Sequence, residues 1–140
     1  MNVLVLNVGS STLKFALYRS GDSLVRELSG VIDRIGSPQG TLTWMREGAV
    51  RADRRTVDAP DHAACLELII ECVNSRLASE PLLAIGHRVV HGGRDYREPQ
   101  RVTPVVMEEL TRLSPFDPEH LPAEIKLIEA CARRYPRLPQ

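Results

Sequence analysis

The chain has 140 residues, with 18 Lys and Arg against 18 Asp and Glu, so its formal net charge is zero. That length predicts one domain able to bury about 70% of its unfolded surface. The charge balance excludes a nucleic-acid module, whose mark is a concentrated basic field, and no run of 18 apolar residues exists to form a membrane span.

The elements follow in chain order. Val3-Leu4-Val5-Leu6 is a continuous apolar run ended by Asn7 and Gly9, and Thr12 to Tyr18 alternates in part. Two strands joined by a short Gly/Ser turn predict a hairpin. A third strand is expected around Leu24 to Ile32, with Gly30 marking a bulge. Two more follow, near Thr41–Arg46 and Ala49–Val57, separated by Glu47-Gly48. Arg51, Arg54 and Arg55 are answered by Asp53 and Asp58 and read as solvated surface.

The period then changes. From Asp61 to Ala78 apolar residues recur at helical spacing, with Pro60 and Asp61 as start signals and Pro81 as a stop. Leu82 to Val90 reads as an apolar strand ending in His91-Gly92-Gly93. Thr103-Pro104 opens a short helix through Leu113. Ser114-Pro115-Phe116-Asp117-Pro118 reads as a loop. Pro122 opens an amphipathic helix to Arg134, with Ile125, Ile128 and Cys131/Ala132 on one stripe. Tyr135 to Gln140 has loop composition. Antiparallel strands followed by helix, strand and helices predict an α/β domain with a mixed sheet.

Composition narrows the chemistry. Three cysteines, Cys65, Cys72 and Cys131, fit no C-x-x-C spacing and read as small buried hydrophobes. The start of the chain has no charged leader region, so a cytoplasmic location is expected. Sixteen of the 18 basic residues are Arg, and only Lys14 and Lys126 are Lys. A Lys kept in so Arg-biased a chain suits a place that wants a compact ammonium on a flexible stem.

Lys14 follows Asn7-Val8-Gly9-Ser10-Ser11-Thr12-Leu13, where three hydroxyls, a glycine and an ammonium share one tight turn. Backbone N–H groups and hydroxyls in such a turn form an anion-binding concavity. The same residue types also make an ordinary hairpin turn. It is not a Walker A loop, because G-x-x-x-x-G-K-[ST] is absent. The second constellation is Gly86-His87-Arg88-Val89-Val90-His91-Gly92-Gly93. A guanidinium in an apolar strand needs an anion, either an internal acid or a bound carboxylate or phosphate. His87 and His91 sit on a strand and its loop, which argues against a shared metal face. In the third, Asp117, Glu119 and His120 suit acid–base chemistry or helix capping, and capping is expected.

Together these residues resemble the acetate kinase family over essentially the whole chain. Asn7, Gly9, Ser10, Ser11 and Lys14 match its first phosphate-binding motif, Asn-x-Gly-Ser-Ser-x-x-Lys. Gly86 to Gly93 is similar to its second signature nearly verbatim. The resemblance implies a ribonuclease H-like (actin-like ATPase) domain, with the N-terminal β-hairpin in a mixed sheet between flanking helices. It implies that residues 1–140 are the N-terminal domain of a longer protein whose C-terminal catalytic domain is absent from this chain. It implies transfer of a phosphoryl group from ATP, with Mg²⁺, to a short carboxylate, and a homodimeric parent.

Carried over residue by residue, Asn7 orients Mg²⁺ through water, and Ser10, Ser11 and Thr12 contact phosphate oxygens. Lys14 approaches the nucleotide phosphates. Arg88 engages the carboxylate or the transferring group, and Val90 lines the acyl pocket. Where the family typically reads Ala-Pro-Leu-His-Asn-Pro, this chain has Ser114-Pro115-Phe116-Asp117-Pro118. Phe116 takes the place of the pocket leucine, and the family's active-site His is missing there. No residue of this chain is assigned as catalytic, and the isolated chain is expected not to turn over. The competing readings are a non-catalytic domain that binds nucleotide or acyl phosphate, and a divergent kinase of the superfamily with a hydroxyl acceptor.

Overall fold

Residue-by-residue alternation builds the first strand. The computed structural model describes residues 1–77 and 80–140. In β1 (Asn2–Val8), Leu4, Leu6 and Val8 are buried, whereas Val3, Val5 and Asn7 are half-buried on the other face. The same rule governs β2 (Thr12–Ser20), where Leu13, Phe15 and Leu17 are buried and Lys14 is exposed. Burial of each such leucine contributes about 1.5–3 kcal/mol.

Then come β3 (Leu24–Asp33), β4 (Gly40–Arg46), β5 (Asp53–Val57) and β6 (Leu82–His87), giving a sheet of order β5-β4-β3-β2-β1-β6. The first five strands form an antiparallel meander, whereas β6 lies parallel to β1. The mixed sheet and its N-terminal hairpin are as expected. The parallel pair requires a crossover, and α1 (His62–Leu77) supplies it. Asp61 starts this helix as predicted, its Oδ1 accepting from Ala64 N at 2.8 Å. Ala78, the expected last residue, lies outside the described residues.

Helices α2 (Pro104–Leu113) and α3 (Leu121–Arg134) complete the layer. Thr103 caps α2, its Oγ1 accepting from Val106 N at 3.3 Å. The main core joins the inward residues of β1–β4 to Cys65, Leu66, Ile69 and Val73 of α1 and to Leu127 and Cys131 of α3. A second cluster holds Leu110 and Leu113 of α2 against Leu121 and Ile128 of α3. Helix α3 therefore serves both. Burial pushes the Cys65 and Cys131 thiols up to about 12, in keeping with a packing role.

Several expectations shift. Strand β6 ends at His87, not at Val90, so Arg88 lies past the strand and is exposed. Gly30 is not a bulge. The register break falls between Leu17 and Tyr18, whose partners Leu28 and Arg26 skip Glu27. Gly30 instead sits opposite Phe15, whose ring occupies the space a Cβ would need. Strand β5 begins only at Asp53, after a turn in which Gly48 has φ of 75°. Ser114–Phe116 is a single 3₁₀ turn, not an open loop. On α3, Ala132 is exposed, and the buried set includes Glu124. The final residues hold no regular element, yet Leu138 packs on the main core and Pro139 O accepts from Ile85 N at 3.0 Å.

Candidate functional site

The site begins where β1 runs out. Gly9 N donates to Thr12 O at 2.8 Å, closing the turn from β1 into β2. A Cβ on Gly9 would stand 2.5 Å from Thr12 Oγ1, so any other residue there would force that hydroxyl to turn away. Ile35 N donates to Ser11 O at 3.0 Å, tying the turn to the end of β3. Ser10 and Ser11 are exposed, and among the described residues the hydroxyls of Ser10, Ser11 and Thr12 make no hydrogen bond. The Ser10 and Ser11 side chains are exposed, whereas Thr12 is half-buried with its hydroxyl over Gly9.

Asn7 and Lys14 are direct partners across β1 and β2. Such a pair holds its Cβ atoms about 5 Å apart on one face. That face is the one away from Leu6 and Leu13, as the burial alternation requires. On the other side of β1, Val5 is the partner of Gly86, and Arg88 N donates to Leu6 O at 3.0 Å. Arg88 lies one residue past the end of β6, and its side chain lines a recess against α2 and α3 that neither Asn7 nor Lys14 lines. Asn7 and Lys14 share a face near the carboxyl end of β1, and Arg88 follows the carboxyl end of the neighbouring parallel strand β6; open α/β sheets bind ligands at such ends.

The guanidinium of Arg88 forms no hydrogen bond or ion pair among the described residues. The internal-pair reading, which assumed a buried strand position, therefore does not hold. Arg88 lines a cavity of about 450 Å³ with Gly86, Gly92, Tyr96, Val106 and Ile128. Phe116, 75% exposed on the 3₁₀ turn, lines a different recess with His91, Gly93, Arg94 and Leu113. Arg88 and Phe116 do not share a wall. Val90 is exposed at its side chain, while its backbone N–H reaches Glu124.

The histidines separate. His87 Nε2 donates to Gln140 Oε1 at 2.7 Å, and burial holds its imidazole below the usual value. His91 Nδ1 accepts from Gly93 N. Asp117 does not cap α3 with its side chain. Its Oδ1 instead accepts from His120 Nδ1 at 2.8 Å, while its carbonyl receives Leu121 N. The turn that lacks a histidine at 114–118 thus acquires one three residues on.

The Asp117 hydrogen bond raises the His120 imidazole above its ordinary value. The pair's stabilising contribution is therefore complete below about pH 6.5, the unperturbed imidazole value, and is lost as pH rises through the raised folded value. An NMR titration should find the His120 midpoint above that of a free imidazole, and Asp117→Asn should bring it back. An unshifted midpoint in the unsubstituted chain would mean that the pair does not persist in solution.

A sequence model of the Acetokinase family matches residues 2–140. The chain belongs to this family. It is 38% identical over 138 residues to the acetate kinase of Pseudomonas aeruginosa and 39% identical over 140 residues to that of Dichelobacter nodosus. In both cases 99% of this chain aligns with 34% of the relative, so the chain spans about a third of their length. Among solved structures, Porphyromonas gingivalis acetate kinase superposes with a TM-score of 0.90 at 28% identity, covering 99% of this chain and 36% of that one. Francisella tularensis propionate kinase gives 0.87 at 28% identity, covering 99% and 35%. The chain thus has the actin-like ATPase fold.

Sequence reasoning missed two features of this candidate site. The i, i+3 spacing of Asp117 and His120 is a visible signal for their pair. Glu124 is hidden inside an apolar helical stripe, and only that incongruity marks it.

Proposed function

We propose that this chain forms the nucleotide-phosphate and acceptor-binding part of an enzyme that transfers a phosphoryl group from ATP to a short-chain carboxylate, giving an acyl phosphate and ADP. The observation that supports this reading is the pairing of Asn7 with Lys14 beside the unbonded Ser10, Ser11 and Thr12 hydroxyls, in a chain of the acetokinase family. In the reaction a carboxylate oxygen bonds to the γ-phosphorus as the bond from that phosphorus to the ADP oxygen breaks. A carboxylate is already ionised at neutral pH, so no general base is required. What remains is positioning and neutralisation of charge.

Each residue then has one task. The hydroxyls of Ser10, Ser11 and Thr12 and the Lys14 ammonium bind nucleotide phosphate oxygens. Arg88 offers a planar fork to the carboxylate or to the equatorial oxygens of the transferring group. Val90, two residues beyond Arg88, would bound the acyl end, whereas Phe116 lines a recess separate from that of Arg88 and is given no acyl contact. Among the described residues no group of three His, Cys, Asp or Glu side chains is placed to hold a metal. Magnesium accepts such a setting, because it retains waters and binds largely through substrate phosphates. Asn7, half-buried and opposite Lys14, fits a role orienting one of those waters. When bound, Mg²⁺ would neutralise charge between the phosphates. We further propose that a longer, cytoplasmic, homodimeric enzyme carries this chain as its N-terminal domain, and that the 140 residues alone do not turn over.

The test is an assay of the enzyme carrying this chain with ATP, Mg²⁺ and C2–C4 carboxylates, the acyl phosphate being trapped with hydroxylamine. Formation of hydroxamate supports the reading. Nucleotide binding without any transfer favours a binding domain, and transfer to a polyol alone favours a hydroxyl kinase. Lys14→Ala should raise the KM for ATP at least tenfold, as expected for loss of one charge-assisted contact worth about 2 kcal/mol. The KM for the carboxylate should hold.

A further inference from the structure

Glu124 is out of place. Its neighbours on the inward side of α3 are Leu121, Leu127, Ile128, Ala130 and Cys131, and it is only 2% exposed. A carboxylate in such surroundings is costly unless a donor compensates it. Among the described residues that donor is a single group, the backbone N–H of Val90, at 3.2 Å from Oε1 and 3.4 Å from Oε2. No cation pairs with it within ion-pair distance among the described residues. Burial accordingly raises its carboxyl above the ordinary value, against the opposing pull of the Val90 hydrogen bond.

The location of that N–H is informative. Strand pairing stops at His87, and the last backbone bond to the sheet is Arg88 N to Leu6 O at 3.0 Å. Beyond it the chain carries Arg88, Val89 and Val90 with no ladder to hold them. The Val90–Glu124 bond is the next anchor, two residues on. Val89 between the anchors packs on the second hydrophobic cluster. Arg88 is therefore suspended between the edge of β1 and a buried carboxylate on α3. The charged groups facing that carboxylate are Arg88 from the β6–α2 connection, and Asp117 and His120 from the start of α3.

We propose that Glu124 is a positioning residue, which holds the Val90 amide and thereby fixes the backbone that presents Arg88 to the anionic acceptor. The inference rests on the proposed function only in naming what Arg88 receives. It explains why an acid is retained on an apolar stripe, where a leucine would pack at no desolvation cost. It also assigns the approach of α3 to the Gly86–Gly93 segment a role beyond packing.

The test uses backbone amide exchange in the 140-residue chain together with kinetics of the enzyme carrying it. Glu124→Leu should speed exchange at Val90 about tenfold or more, leave Ile85 and Leu6 unchanged, and broaden the Arg88 Nε–H signal. Glu124→Gln keeps an oxygen acceptor and should restore most of the protection. Unchanged Val90 exchange in the folded leucine variant overturns the proposal, as does a glutamine variant no better than leucine. In the enzyme, Glu124→Leu should raise the carboxylate KM about tenfold while leaving that for ATP in place; a parallel rise in both overturns the proposal. If the leucine variant does not fold, titration of the unsubstituted chain decides. The Val90 amide shift should follow the Glu124 carboxyl through a midpoint above that of ordinary carboxylates, and independence of the two signals overturns the proposal. An enzyme that transfers no phosphoryl group defeats the proposed function, while the exchange comparison still decides this one.

Discussion

Replacing Arg88 by alanine should lower the kcat of the enzyme carrying this chain by about a hundred- to a thousandfold, or about 3–4 kcal/mol, the usual loss when one preorganised donor to a developing anion is removed. The fold should hardly notice. Arg88 is exposed and forms no ion pair among the described residues, and its charge acts on the buried Glu124 carboxyl only beyond ion-pair distance. Exposed substitutions of that kind usually stay within about 0.5 kcal/mol. Separating the two readouts is the point of the experiment: the melting temperature should hold while turnover collapses. Arg88→Lys should recover only part of the rate, because an ammonium cannot present two parallel N–H groups to one carboxylate or phosphate. Near-normal turnover in the alanine variant would remove Arg88 from the reaction.

The second large effect is on stability. Gly30→Val should destabilise the chain by about 3 kcal/mol, at the upper end of the range for overpacking a filled core. A Cβ at Gly30 would stand 2.5 Å from Phe15 Cζ and 2.6 Å from the Thr43 carbonyl oxygen. The ring can turn away only by leaving a core in which Phe15 is 3% exposed, and the carbonyl belongs to the β4 backbone. Both neighbours therefore resist. Denaturant midpoints would measure the loss, and Phe15→Leu in the Gly30→Val background should return part of it, since the two positions are strand partners. Additive losses would show that the ring is not the obstacle.

Much of this architecture is written locally. The apolar alternation of Leu4, Leu6, Leu13, Phe15 and Leu17 was enough to read the hairpin, and Thr103-Pro104 marked the start of α2 at its true residue. Asn7, Lys14 and Arg88 could be named because their motifs are short and chemically unusual. What was hidden depends on partners distant in sequence. Strand β6 ends at His87, opposite Leu6, although Asn7 and Val8 of β1 lie beyond; the chain leaves the sheet there, and Val90 bonds instead to Glu124 of α3. An apolar run through Val90 could not reveal that limit. Gly30 looked like a bulge because a glycine in a strand reports close approach without saying by what. Glu124 was unreadable for the same reason, as its partner is a backbone amide with no side-chain signature.

The parallel pairing of β1 with β6 gives the site an order of assembly. Asn7, the Ser10–Thr12 hydroxyls and Lys14 belong to one hairpin, whose contacts close over a few residues and form on a microsecond timescale. Arg88 arrives only when β6 docks against β1 across the whole of β2 to α1, a non-local contact of the kind that slows folding. A chain with only the hairpin formed therefore displays the Ser10–Thr12 turn and Lys14 without Arg88 in place. Under the proposed function, nucleotide capture and acceptor capture would be separated by a folding step.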